Sequence, residues 1–154
     1  MNKIKSFQVD HRKLGVGIYV SRVDVDIVTY DLRFCKPNSG TVLDNVTMHT
    51  IEHMLATFVR NSDIKNEVLY FGPMGCQTGY YLVLNTTESK EKYFDIFYDI
   101  LKKSCEYVET MTEVPAKNEL QCGNCYSLGD IEDAKRAGRD LAALVKEMEK
   151  QNNF

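Results

Sequence analysis

No apolar run in this 154-residue chain approaches the roughly 20 residues that a membrane-spanning helix requires. Met1 to Asp10 is mixed and polar and lacks the apolar centre of a secretory signal. There is no long basic stretch, and the formal net charge is -3, which argues against nucleic acid as the main partner. Internal repeats, low-complexity tracts and linkers are also missing. The length suffices for one domain with a real core but not comfortably for two. The expectation is a cytoplasmic protein with one domain over 1–154 and no dealings with membrane or nucleic acid.

Histidine is scarce, with only His11, His49 and His53. The five cysteines, Cys35, Cys76, Cys105, Cys122 and Cys125, are an odd number. In a cytoplasmic chain they read as thiols, ligands or core residues rather than a disulfide framework.

What is present concentrates in His49-Thr50-Ile51-Glu52-His53. Ile51, Met54, Leu55, Phe58 and Val59 follow the stripe of an amphipathic helix, with Asp44 or Asn45 as its N-cap. At about 100° per residue, His49, Glu52 and His53 lie opposite that stripe. Two imidazoles one turn apart can grip one metal ion, and Glu52 beside them can move protons. The same face runs on through Ala56 to Arg60. His-x-x-Glu-His is also the inverted zinc-protease signature, so it indicates metal chemistry without naming a reaction.

A catalytic site takes three protein ligands and an open position. Beyond His49 and His53 the third is His11, an acid or a cysteine. Cys122 and Cys125 form a Cys-x-x-Cys without a second pair, which excludes a four-cysteine zinc ribbon. One of the two fits as third ligand, and spacing does not choose between them. Cys76 sits in Gly72-Pro73-Met74-Gly75-Cys76-Gln77-Thr78-Gly79. It reads equally as an aimed, pKa-lowered thiol and as a small buried residue at a strand start. Cys35, in a strand, and Cys105, on a helix stripe, read as structural.

Gly15–Val20, Val68–Phe71 and Tyr80–Leu84 read as strands. Val23, Val25 and Ile27 alternate with charges as in a half-buried strand, and the apolar parity then changes near Val28-Thr29, as at a bulge or turn. Beyond it, Asp31, Arg33 and Cys35 face away from Tyr30, Leu32 and Phe34. Helices are expected over Glu88–Val108, capped by Thr87, and over Asp130–Lys150. Antiparallel strands and helices without regular alternation indicate an α+β fold.

These residues together resemble the S-ribosylhomocysteine lyase (LuxS) family. The resemblance rests on Ser6-Phe7-x-x-Asp10-His11, Tyr30-Asp31-Leu32-Arg33-Phe34-Cys35-x-Pro37-Asn38, Met48-His49-Thr50-Ile51-Glu52-His53, Arg60-Asn61, the Gly72–Tyr81 segment and Gln121-Cys122-Gly123-Asn124. It implies His49, His53 and Cys122 as ligands to one ferrous ion per subunit, which zinc or cobalt can replace. It implies Glu52 and Cys76 as acid/base residues. Ser6, His11 and Arg33 are expected at the ribose, and Arg60 at the homocysteine end. It also implies a homodimer whose two sites draw on both chains, and an antiparallel sheet covered by helices. The implied reaction cleaves the thioether of S-ribosylhomocysteine by isomerisations and β-elimination. The chain departs from the family pattern at Tyr70, where an acidic residue is common, at Gly72, where Ser is frequent, and at Cys125, where an aromatic is usual. Two rival readings are a metal-dependent hydrolase in which Glu52 activates water, and a metal-sensing or structural protein with a closed four-ligand site.

Overall fold

Two hairpins build the sheet of the computed structural model, which describes residues 1–2 and 10–152. β1 (Gly17–Asp24) turns into β2 (Ile27–Arg33), and β3 (Val68–Pro73) turns into β4 (Gly79–Asn85). β2 and β4 pair antiparallel at the centre, giving the order β1-β2-β4-β3. Three helices complete the α+β fold: α1 (Asn45–Val59), α2 (Tyr93–Thr110) and α3 (Ile131–Asn152).

The pleat sorts the strand residues onto two faces. Val28, Tyr30 and Leu32 sit opposite Leu84, Leu82 and Tyr80 and point into the main core. There they meet Ile51, Leu55 and Val59 of α1, Phe97 and Leu101 of α2, and Leu141 and Val145 of α3. Tyr30 presents its edge to Phe97 at 4.7 Å, and Phe71 stacks on Tyr80 at 5.2 Å, both within the range of favourable ring pairs. The buried phenols find acceptors: Tyr30 donates to the Lys90 carbonyl and Tyr80 to the Met48 carbonyl. The other face carries Thr29, Asp31 and Arg33 opposite Val83, Tyr81 and Gly79.

The α1 stripe is as expected: Ile51, Met54, Leu55 and Val59 are buried, and Asp44 caps the helix through Thr47 N–H. Asp130 caps α3 reciprocally, accepting from Asp133 N–H while Asp133 accepts from Asp130 N–H.

Three expectations need correction. The β1–β2 turn lies at Val25-Asp26 and the bulge lies between Val20 and Arg22, not near Val28-Thr29. Val23, Val25 and Ile27 are therefore hairpin-tip residues; Val25 is 93% exposed with φ +58°. Alternation alone does not distinguish a half-buried strand from a solvated tip. Helix α2 begins at Tyr93 behind a short 3₁₀ turn, Lys90–Lys92, and Thr87 does not cap it. The local turn is instead closed by Thr86, whose hydroxyl accepts from Glu88 N–H and pairs with Tyr93 Oη. Cys35 lies just past β2, with its N–H on the Thr78 carbonyl. It is buried like Cys105, and burial pushes the Cys105 thiol up to about 11, which suits the structural role expected of both.

Candidate metal and catalytic site

Helix α1 presents His49 and His53 as expected, their ring centroids 4.7 Å apart and planes at 83°. The connection between α2 and α3 then folds over this face at several points. The Pro115 carbonyl lies 2.7 Å from His53 Nδ1, so that nitrogen carries the proton and donates. Ser127 Oγ lies 2.6 Å from His49 Nδ1. The serine hydroxyl gives its own hydrogen to the Asn124 carbonyl at 3.0 Å, so Ser127 accepts from His49. Gly129 N–H donates to Thr50 Oγ1, a buried hydroxyl on the same turn of α1. Both imidazoles are thereby set with Nδ1–H outward and an Nε2 lone pair free to ligate.

Cys122 arrives on this connection. Its Sγ is 3.5 Å from His49 Nε2, and ligand atoms of His49, His53 and Cys122 all lie within 4.8 Å of one another. A tetrahedral ion with bonds of about 2.0–2.1 Å to nitrogen and about 2.3 Å to sulfur needs an N···S edge of roughly 3.5 Å. The three side chains fit such an ion. The choice that spacing left open falls to Cys122. Cys125 is buried in a second apolar cluster with Met54, Val114 and Leu128 and is not part of the ligand group. The His49 imidazole is held below the usual histidine range, first by burial and then by the neighbouring His53, against the pull of Glu52. That keeps it neutral, the form that binds metal. Glu52, half-buried on α1, acts electrostatically on both His49 and Tyr80.

The second constellation forms on the outer face of the sheet. Cys76 lies on the β3–β4 turn and is exposed, the aimed alternative of the two that its motif allowed. Behind it Arg33 is 1% exposed. Its Nη1 donates to Thr78 Oγ1 at 2.6 Å and reaches Cys76 Sγ at 3.7 Å, while Nη2 donates to Asp31 at 2.8 Å. Thr78 Oγ1 is 3.1 Å from Cys76 Sγ. Having accepted from Arg33, that hydroxyl has its proton available for the sulfur. Burial on its own raises the Cys76 thiol, but the Thr78 hydroxyl and N–H and the Arg33 charge together outweigh it, and the net shift is downward.

Two local features make this packing possible. A Cβ on Gly79 would sit 2.1 Å from the Leu32 carbonyl oxygen, so only glycine lets β4 lie this close to Arg33. Gln77, at φ +63°, sends its side-chain amide to the Leu43 carbonyl and Asn45 Oδ1, both at 3.0 Å. That docks the cysteine turn on the N-terminal end of the histidine helix.

Of the remaining expected residues, Arg60 ends α1 and donates to the Leu69 carbonyl at 3.2 Å. His11 is half-buried beside Asp10, and Ser6 lies outside the described residues. Sequence reasoning missed Asp31, Thr78, Pro115 and Ser127 as supporting groups. Thr78 and Asp31 stand inside quoted motifs. Pro115 and Ser127 carry no local signal, because only the folded connection brings them to the histidines.

Comparison with known proteins agrees with this geometry. The S-ribosylhomocysteinase (LuxS) family model matches residues 4–153. A Finegoldia magna protein named S-ribosylhomocysteine lyase is 41% identical over 99% of this chain and 97% of its own length. Proteins of the same name from Desulfotalea psychrophila and Clostridium acetobutylicum are 36% and 37% identical, over 99% and 94% of this chain and 97% and 92% of their own lengths. With the ligand group, the cysteine turn and the match over nearly the whole length in accord, the chain belongs to the S-ribosylhomocysteinase (LuxS) family.

Proposed function

We propose that this chain, as a single domain over 1–154, is a metal-dependent S-ribosylhomocysteine lyase. It splits the substrate thioether into homocysteine and 4,5-dihydroxy-2,3-pentanedione. The observation that carries this reading is Cys76, an exposed thiol tuned downward by Thr78 and Arg33 on a turn docked against the histidine helix. Water attack promoted by Glu52 needs no second proton carrier. Moving a carbonyl along a sugar does, because protons leave and join different carbons.

The substrate aldehyde becomes a 2-ketone and then a 3-ketone through enediols. The 3-ketone acidifies the C4 proton, and homocysteine leaves from C5 as its thiolate. A bound divalent metal, ferrous iron or a zinc or cobalt substitute, supplies Lewis-acid polarisation of the sugar oxygens. His49, His53 and Cys122 hold it. Glu52 carries protons between sugar carbons and oxygens, and the Cys76 thiolate takes and returns carbon-bound protons. Arg33 keeps the thiolate charged and, with Ser6 and His11, holds the ribose. Arg60 binds the homocysteine carboxylate. The burial of Cys125 among apolar residues supports a site left open for substrate rather than a closed four-ligand shell.

A homodimer with its two sites at the interface belongs to the same reading. The exposure of Cys76 supports it, since a partner can complete the site there. Five free cysteines suit a reducing cytoplasm, and no helix among the described residues is long and apolar enough to cross a membrane. The products link the chain to autoinducer-2 synthesis in quorum sensing and to recovery of homocysteine in the methyl cycle.

The test is thiol release from S-ribosylhomocysteine by anaerobically purified, metal-analysed protein. Cys76→Ala and Glu52→Gln are expected to abolish release with metal still bound. A metal-replete wild type that releases no thiol sinks the proposal. Undiminished activity in Cys76→Ala favours the hydrolase instead.

A further inference from the structure

Cys122 and Cys125 are the two ends of one turn, with Gly123 and Asn124 at its corner. The ends of a four-residue turn lie within about 7 Å at Cα, and a disulfide spans about 4.4–6.8 Å. Cys125 opens the short 3₁₀ turn Cys125–Ser127, closed by Leu128 N–H on the Cys125 carbonyl at 3.2 Å. On either side of Cys125 the chain touches His49, through the Cys122 sulfur at 3.5 Å and the Ser127 hydroxyl at 2.6 Å. The Cys125 side chain instead enters the apolar cluster of Met54, Val114 and Leu128, and Cys122 packs against that same cluster. No other cysteine among the described residues belongs to it. The Cys122 sulfur thus has a histidine on one side and the cluster that holds the Cys125 thiol on the other. The two thiols differ in access: Cys125 is 8% exposed, whereas Cys122 is half-buried.

Resting on the reading of Cys122 as a metal ligand, we propose that Cys122 and Cys125 form a reversible, peroxide-driven disulfide that takes the sulfur out of the ligand group and releases the metal. Hydrogen peroxide reaches the more accessible Cys122. Its sulfur gives two electrons to one peroxide oxygen: an S–O bond forms, the O–O bond breaks, and the departing hydroxide takes up a proton. The Cys125 sulfur then attacks this sulfenic acid. The S–S bond forms, the S–O bond breaks, and the hydroxide leaves as water with the Cys125 proton. One peroxide and two cysteines become one disulfide and two waters. To make the bond, the Cys122 sulfur turns from His49 toward the cluster, and it is then no longer the thiolate that a metal takes. His49 and His53 remain, one ligand short of the three that a catalytic metal needs. A dithiol reductant opens the bridge by exchange and restores the third ligand. Cys125 stands where an aromatic is usual in the family, and a ring there offers no thiol for the second step. The sulfenic acid would then go on to sulfinic acid, which thiols do not reduce.

The test uses the zinc-loaded protein, because zinc itself undergoes no redox change. Hydrogen peroxide is added, zinc release is read with a colorimetric chelator, and bridges are located by peptide mass spectrometry without reduction. The expected result is a Cys122–Cys125 disulfide that rises in step with zinc release, and full rebinding of zinc after dithiothreitol. Cys125→Ala is expected to bind zinc like wild type before oxidation. After peroxide its Cys122 goes on to sulfinic acid, and about threefold to tenfold less zinc rebinds once the reductant is added. Zinc release without this bridge, a bridge from Cys122 to another cysteine, or equal rebinding in the variant overturns the proposal. Mapping and release need wild type alone, so they decide the matter if Cys125→Ala does not fold. A wild type that binds no zinc removes the ligand reading and this inference with it. A wild type that holds zinc and forms no bridge removes this inference alone.

Discussion

Arg33 reaches Cys76 from behind, its Nη1 3.7 Å from the sulfur, while the same nitrogen grips Thr78 Oγ1 at 2.6 Å. A guanidinium without contact with bulk water is thus aimed at the thiol through a hydroxyl. Its charge favours the thiolate, and so does the proton that Thr78 can donate.

Removing that hydroxyl weakens the thiolate. A lowered Cys76 pKa means that thiolate is present below the ordinary thiol range, and a thiolate-dependent rate rises as pH climbs through that pKa. Thr78→Val is expected to move this acid limb to higher pH. At pH 7 it slows alkylation of Cys76 by about threefold to tenfold, the worth of one hydrogen bond to a charged or polar group. The pH profile of iodoacetamide alkylation, read at Cys76 by mass spectrometry, checks it; an unmoved limb removes Thr78 from the thiolate's support.

The Asp31–Arg33 pair is buried, with Asp31 Oδ1 and Arg33 Nε lacking hydrogen-bond partners. Breaking it leaves one charge stranded. Arg33→Leu is expected to destabilise the fold by about 3–5 kcal/mol in urea unfolding, and adding Asp31→Leu to recover much of the loss. A single variant as stable as wild type contradicts this account of the pair.

Ser127 orients His49 and lies outside the ligand group. Ser127→Ala removes the acceptor for Nδ1–H, and metal affinity is expected to fall by about 10–100-fold. Chelator competition measures the affinity, and circular dichroism of the metal-free protein controls for folding. Equal affinity in variant and wild type would show that the tautomer is set by other groups.

Gly79→Ala drives a methyl group into the Leu32 carbonyl. The expected cost is about 1–3 kcal/mol, together with faster exchange of the Met74 N–H that bonds the Gly79 carbonyl. Val25→Gly, at the positive-φ hairpin tip, is expected to act in the opposite direction, stabilising by about 1 kcal/mol because a β-branched residue is strained there. Thermal unfolding of both variants tests the pair.

The parts legible in the sequence are those whose signal is local. Helix α1 and its two faces follow from periodicity over 15 residues, so the His49–Glu52–His53 side needs no tertiary information, while the structure chooses Asp44 over Asn45 as the cap. The cysteine turn is visible in its glycines and proline. The first hairpin is less legible. Val23 and Val25 keep a strand's alternation while standing in solvent, and the bulge at Ser21 shifts the register on the other strand.

By itself, then, the sequence determined an α+β protein with a helix carrying two histidines one turn apart, a set-apart thiol turn and the family to which both belong. Tertiary structure alone decided three things: the seating of Cys125 in an apolar cluster away from the histidines, the pairing of Arg33 with Cys76 across 43 residues of chain, and the folding of Tyr70 over Gly72. The physical reason is shared. Each depends on which side chains a connection or a strand pairing brings within a few ångströms, and neither spacing nor hydrophobic period encodes that distance.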